Sequence, residues 1–79
     1  MCLGIPTEII AITDEAKGIA LVELANVRRE VNISLLLEEM PIADLVGKWA
    51  IVHAGFAISL VDETEADSML AMIATLESE

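Results

Sequence analysis

IALVELANVRREVNI, residues 19–33, carries the plainest structural pattern in this chain. Its second half alternates. Val27, Arg29, Val31 and Ile33 fall on one face, and Arg28, Glu30 and Asn32 fall on the other. A period of two marks a half-buried strand. The first half, residues 19–24, is a compact aliphatic run that follows Lys17-Gly18. Ala25-Asn26 separates the halves and leaves room only for a two-residue turn. The pair predicts a β-hairpin, although Ala-Asn is a weaker turn signal than Asn-Gly.

Working outward, residues 8–12 form another β-branched run, closed by Thr13-Asp14-Glu15. On the other side, residues 34–40 (SLLLEEM) fit either a helical turn or a strand end, and Pro41 stops them. Residues 41–46 connect to Gly47. Residues 49–53 then read as a strand, with Trp49, Ile51 and His53 on one face and Ala50 and Val52 on the other. Ala54-Gly55 breaks it, and residues 57–61 make a fifth strand. The period then changes. Asp62-Glu63-Thr64-Glu65 resembles a capping box, with Asp62 at the N-cap and Glu65 at the third helical position. Ala66, Met69, Leu70, Ile73 and Leu76, with Ala74, then share one face at helical spacing. The spacing predicts a helix over residues 62–77. Five short strands and one helix in 79 residues predict a mainly β protein. The expected form is a small OB-like antiparallel β-barrel with a C-terminal α-helix. The expected organisation is a single domain, residues 1–79, with a flexible N-terminal arm (1–6), a barrel (about 7–61) and the helix.

Composition narrows the function classes. The chain is 56% hydrophobic with one Cys, one His, one Trp, one Phe and no Tyr. One cysteine allows no internal disulfide, and one Cys with one His cannot close a four-ligand zinc site. Four basic residues stand against fourteen acidic ones, a net charge of −10. That balance repels nucleic acid and acidic membrane surfaces, and aromatic stacking platforms are few. No segment has the length of a membrane span, and none reads as a signal peptide. The expected setting is the reducing cytoplasm.

Chemistry is concentrated at Cys2 and His53. Removal of Met1 before a small residue would leave Cys2 with a free α-amine beside its thiol. Their unperturbed pKa values are about 7.7–8.0 and about 8.5. An N-terminal cysteine is an unusual place for a buried hydrophobe, the ordinary role of a lone Cys. For His53, near a strand end, the residues alone favour a satisfied packing role. If both bind metal, two protein ligands leave the coordination sphere open to a partner or to exogenous ligands. A Cys/His nucleophile pair competes with this, but no third residue to orient the His is visible. Trp49 and Phe56 are expected to pack the barrel, and Met69 and Met72 the core face of the helix. The acidic positions Glu38, Glu39, Asp44, Asp62, Glu63, Glu65 and Asp67 are expected on the solvated surface.

Two stretches together resemble the HypC/HupF/HybG-type chaperones of nickel–iron hydrogenase maturation. The first is Met1-Cys2-Leu3-Gly4-Ile5-Pro6. The second is Gly47-Lys48-Trp49-Ala50-Ile51-Val52-His53-Ala54-Gly55-Phe56-Ala57-Ile58-Ser59, followed by Val61-Asp62-Glu63-Thr64-Glu65-Ala66. The resemblance spans essentially the whole chain. It implies a non-enzymatic chaperone with two partners, a HypD-type iron–sulfur maturation protein and the precursor of the hydrogenase large subunit. The implied cargo is transient iron carrying cyanide and carbon monoxide, with no permanent cofactor. By matching position, Cys2 and His53 would be the metal-handling residues, and Cys2, Leu3, Gly4, Ile5 and Pro6 the docking terminus. Thr7 departs from the Gly or Ala that many members carry there, and its β-branch would stiffen the arm. The alternative is a metal-free OB-like interaction module that docks through its N-terminal arm.

Overall fold

A computed structural model describes residues 4–77, and the side chains of residues 4–73. The chain runs β1 (Ile5–Asp14), β2 (Ile19–Leu24), β3 (Val27–Asn32), two 3-10 helices (Ser34–Glu38 and Ile42–Leu45), β4 (Trp49–His53), β5 (Phe56–Val61) and α1 (Glu63–Glu77). The strands close a barrel in the order β1-β2-β3-β5-β4, mainly β with one C-terminal helix, as the alternation predicted. The ambiguous stretch after β3 is the first 3-10 helix, and the connection after Pro41 holds the second. They insert Leu36 and Leu45 into the core.

The hairpin of residues 19–33 has a ladder from Ile19↔Asn32 to Leu24↔Val27. Ala25 and Asn26 both have positive φ, 52° and 69°. This is the left-handed turn whose twist matches the flanking strands. The inward rows are Ala20, Val22 and Leu24 on β2, opposite Val31, Arg29 and Val27 on β3. Ala20, Val22 and Val31 are buried with Ile9, Ile33, Leu36, Leu45, Ala50 and Ala57 in one core.

β1 is longer than the sequence predicted. It serves two neighbours, pairing with β4 from Ile5↔Val52 to Glu8↔Trp49 and with β2 from Glu8↔Glu23 to Asp14↔Ile19. Register shifts between Ile9 and Ala11, and between Ile12 and Asp14, accommodate that change of direction. An extra residue bends a strand and sharpens its twist. β1 therefore begins at Ile5, so Ile5 and Pro6 belong to the sheet and not to a free arm over residues 1–6. Thr7 likewise lies within the barrel wall. It is buried, and its hydroxyl donates a long bond of 3.5 Å to the Ala50 carbonyl.

α1 starts where the capping residues place it. The Asp62 carboxylate accepts a 2.7 Å bond from the Glu65 amide, and its carbonyl accepts the first helical bond, from Ala66. Ala66 is buried and Met69, Leu70 and Ile73 are half-buried, whereas Ala74 and Leu76 lie outside the described side chains. Two packing expectations fail. Met72 is 66% exposed, because it sits off the stripe that Ala66 begins. Phe56 is 48% exposed, because Ala57 takes the inward position at the start of β5. Trp49 is half-buried, and the seven acidic positions are exposed as predicted. No helix among the described residues is long and apolar enough to cross a membrane.

Candidate functional site

The two sequence motifs meet along the β1–β4 ladder. Ile5 pairs with Val52 and Pro6 with Ile51. Gly4, just ahead of β1, crosses so close to β4 that an added Cβ would overlap Ile51 Cγ2. A larger residue there would have to displace the Ile51 side chain, so glycine is favoured by this contact and not by its φ. The end of the N-terminal motif is thereby fixed beside the strand that carries His53. Cys2 and Leu3 lie outside the described residues.

His53 is the last residue of β4. Alternation turns Ala50 and Val52 inward and leaves His53 pointing out, and its side chain is exposed. The packing role that the residues alone favoured is therefore not the one it has. β5 explains part of this placement. Ile51 pairs with Ser59 but Val52 with Ala57, so Ile58 is an extra, 47% exposed residue. Such a bulge re-aims the residues next to it. Beyond it, Ala54 (φ 54°) and Gly55 (φ 85°) make a tight turn. His53 is paired with Phe56 across that turn, so an imidazole and an exposed aromatic ring share the hairpin end.

Beside this hairpin end opens an apolar cavity of about 480 Å³. Ile5 and Thr7 of β1, Val22 and Leu24 of β2, and Val52 and Ala54 of the His53 hairpin are among its walls. The inward row of β3, Val27, Arg29 and Val31, completes it. Volumes of this order hold small ligands or a few side chains. The sequence named none of this as a cavity, but one sign was present: the alternation put Arg29 in an apolar row.

The described residues contain no group of three or more His, Cys, Asp or Glu that could hold a metal ion. His53 can offer one imidazole nitrogen from the rim, and any metal held there needs its other ligands from elsewhere. The soft donor nearest in sequence to the fixed Gly4 is the Cys2 thiol.

The sequence profile of the HupF/HypC family matches residues 1–73. Among individual relatives, the hydrogenase maturation factor HypC of Rhodobacter capsulatus is 47% identical over 76 residues, which is 96% of this chain and 78% of that protein. The hydrogenase maturation factor HybG of Escherichia coli K12 is 44% identical over 70 residues, 89% of this chain and 84% of its own. HypC of Helicobacter hepaticus is 35% identical over 72 residues, 91% of this chain and 77% of its own. A match over almost the full length, with both motifs inside it, places the chain in the HupF/HypC family.

Proposed function

We propose that this chain is a non-enzymatic, cytoplasmic hydrogenase maturation chaperone that carries iron between proteins. In this reading it docks on a HypD-type iron–sulfur protein, where an iron atom with two cyanide ligands and one carbon monoxide ligand is assembled. It then helps deliver that unit to the precursor of the hydrogenase large subunit. The observation that carries the proposal is the ladder joining the two motifs, Ile5↔Val52 and Pro6↔Ile51.

That ladder supports a shared site for chemical reasons. Gly4, two residues beyond Cys2 in the sequence, is held against Ile51 on the strand that carries His53. A thiolate and an imidazole suit ferrous iron, and cyanide and carbon monoxide occupy further positions. Few protein ligands are then needed, and an open sphere favours handover over storage. The thiolate is the binding form, so loading weakens as pH falls below the range in which the thiol ionises. Gly4 to Pro6, fixed against β4, anchor the segment that carries the thiol, but Pro6 itself is fully buried and offers the partner no surface, contrary to its expected docking role.

Complementation tests the proposal. In cells lacking the native chaperone, wild-type protein should restore hydrogenase activity. Cys2→Ala protein, present at equal abundance and folded, should restore at least about tenfold less, because loss even of a group that only orients a metal ligand costs about 10–100-fold. Full maturation by Cys2→Ala would defeat the proposal.

A further inference from the structure

The barrel is closed unevenly. β3 pairs with β2 along its whole length, but its ladder to β5 is the single parallel pairing Asn32↔Phe56. The first 3-10 helix packs against β5 instead, covering that strand's side of the seam. Residues 27–31 of β3 therefore have one paired edge and one free edge.

Backbone geometry says which groups that edge presents. The Asn32 amide donates 2.9 Å to the Gly55 carbonyl, away from β2. Strand groups repeat every two residues, so the amides and carbonyls of Glu30 and Arg28 also face away from β2. The same repeat turns Val27, Arg29 and Val31 into the apolar cavity that borders the edge. Arg29 is its one charged lining residue. Arg28 is engaged by Glu23 at 3.2 Å, and among the described residues Arg29 makes no ion pair. A free cation in an apolar trough, on a protein of net charge −10, is a local inversion of the surface sign.

We infer that the free edge of β3 is a strand-addition site for an extended partner segment that carries an acidic residue between β-branched ones. The segment adds main-chain hydrogen bonds to Arg28 and Glu30, as strand addition does generally. Its inward side chains enter the cavity beside Val27 and Val31, and its carboxylate meets the Arg29 guanidinium. Cross-strand pairing of opposite charges favours this arrangement, and a like charge opposes it. The inference does not depend on iron delivery, since neither Cys2 nor His53 is used.

The competing account of the same residues is protective. Inward-pointing charge on an edge strand is a known guard against unwanted pairing, and it predicts that nothing binds.

The probe is the peptide acetyl-Thr-Val-Thr-Glu-Thr-Val-Thr-amide, titrated to millimolar concentration into isotopically labelled full-length protein and followed by amide shifts. A second peptide has Lys in place of the Glu. Saturable shifts at Arg28, Glu30 and the cavity residues are expected, with slowed exchange of the Glu30 amide. The Glu peptide should bind about fivefold tighter than the Lys peptide, and Arg29→Glu should reverse that preference. Glu30→Pro removes the outward donor but no bond to β2, as edge positions tolerate, and should abolish binding while the rest of the spectrum is preserved. Cys2→Ala should bind as the wild type does. Absence of saturable shifts overturns the inference, as do shifts confined to another surface or a preference that Arg29→Glu leaves unchanged. Because the iron-dependent assays are separate, a negative peptide result leaves the chaperone proposal standing, and a failed maturation test leaves this one standing.

Discussion

His53 is exposed at the end of β4, beside Val52 and across a tight turn from Phe56. An exposed side chain without packing partners contributes little to stability. His53→Ala should therefore shift the unfolding free energy by less than about 0.5 kcal/mol, while iron recovered with the purified complex falls several-fold. Chemical denaturation beside iron analysis checks both halves, and a large loss of stability would return His53 to a structural role. This outcome was only partly legible in the sequence. Alternation put Trp49, Ile51 and His53 on one face, but it could not say which face looks inward. The small Ala50, fully buried, decides that. Phe56 departs from expectation for a related reason: hydrophobicity argues for burial, whereas the turn geometry gives Ala57 the inward place. Arg29 was legible in position and not in meaning, because the cavity beside it depends on strands distant in sequence.

At the scale of elements, turns and bulges do most of the placing. Both two-residue hairpin turns begin with an alanine at positive φ, Ala25 and Ala54. An L-residue there is strained by about 1 kcal/mol. Ala54→Asn converts the second turn to Asn-Gly, the strongest pair for this geometry, and should stabilise the protein by roughly 0.5–1 kcal/mol. For a domain of this size that is a rise of several degrees in Tm; a calorimetric scan measures it, and a fall in Tm would contradict the turn assignment. The hairpin of residues 19–33 and the start of α1 were readable because each rests on local chemistry, a two-residue turn and an Asp62 cap. The bulges at Ile58 and in β1 were not, since an extra residue shows only when its partner strand is known. The length of β1 was hidden likewise. Gly4-Ile5-Pro6 looks like an arm by itself, and becomes sheet only against Ile51 and Val52.

The molecule as a whole is a small aliphatic core inside an acidic surface. Among the described residues, nine buried side chains make the core cluster, from the strands, the two 3-10 helices and Ile33 ahead of the first of them, and the largest are Ile and Leu. So small a core has little redundancy. Leu45→Ala, at a fully buried position contributed by the second 3-10 helix, should cost about 2–5 kcal/mol, a large share of the stability of a domain this size. The denaturation midpoint should fall with an unchanged slope; an unaltered midpoint would mean that this helix does not anchor the barrel. Opposite that rigid body, one rim gathers the end of the N-terminal motif, the His53 hairpin and the free edge of β3. In the proposed reading the barrel serves as a scaffold, and exchange with partners takes place at that rim. The most direct test is infrared spectroscopy of the complex with the HypD-type partner, purified without oxygen from wild-type and Cys2→Ala protein. The account predicts bands of metal-bound cyanide and carbon monoxide, with matching iron, in the wild-type complex and their loss with Cys2→Ala. Equal bands and equal iron in both would contradict it.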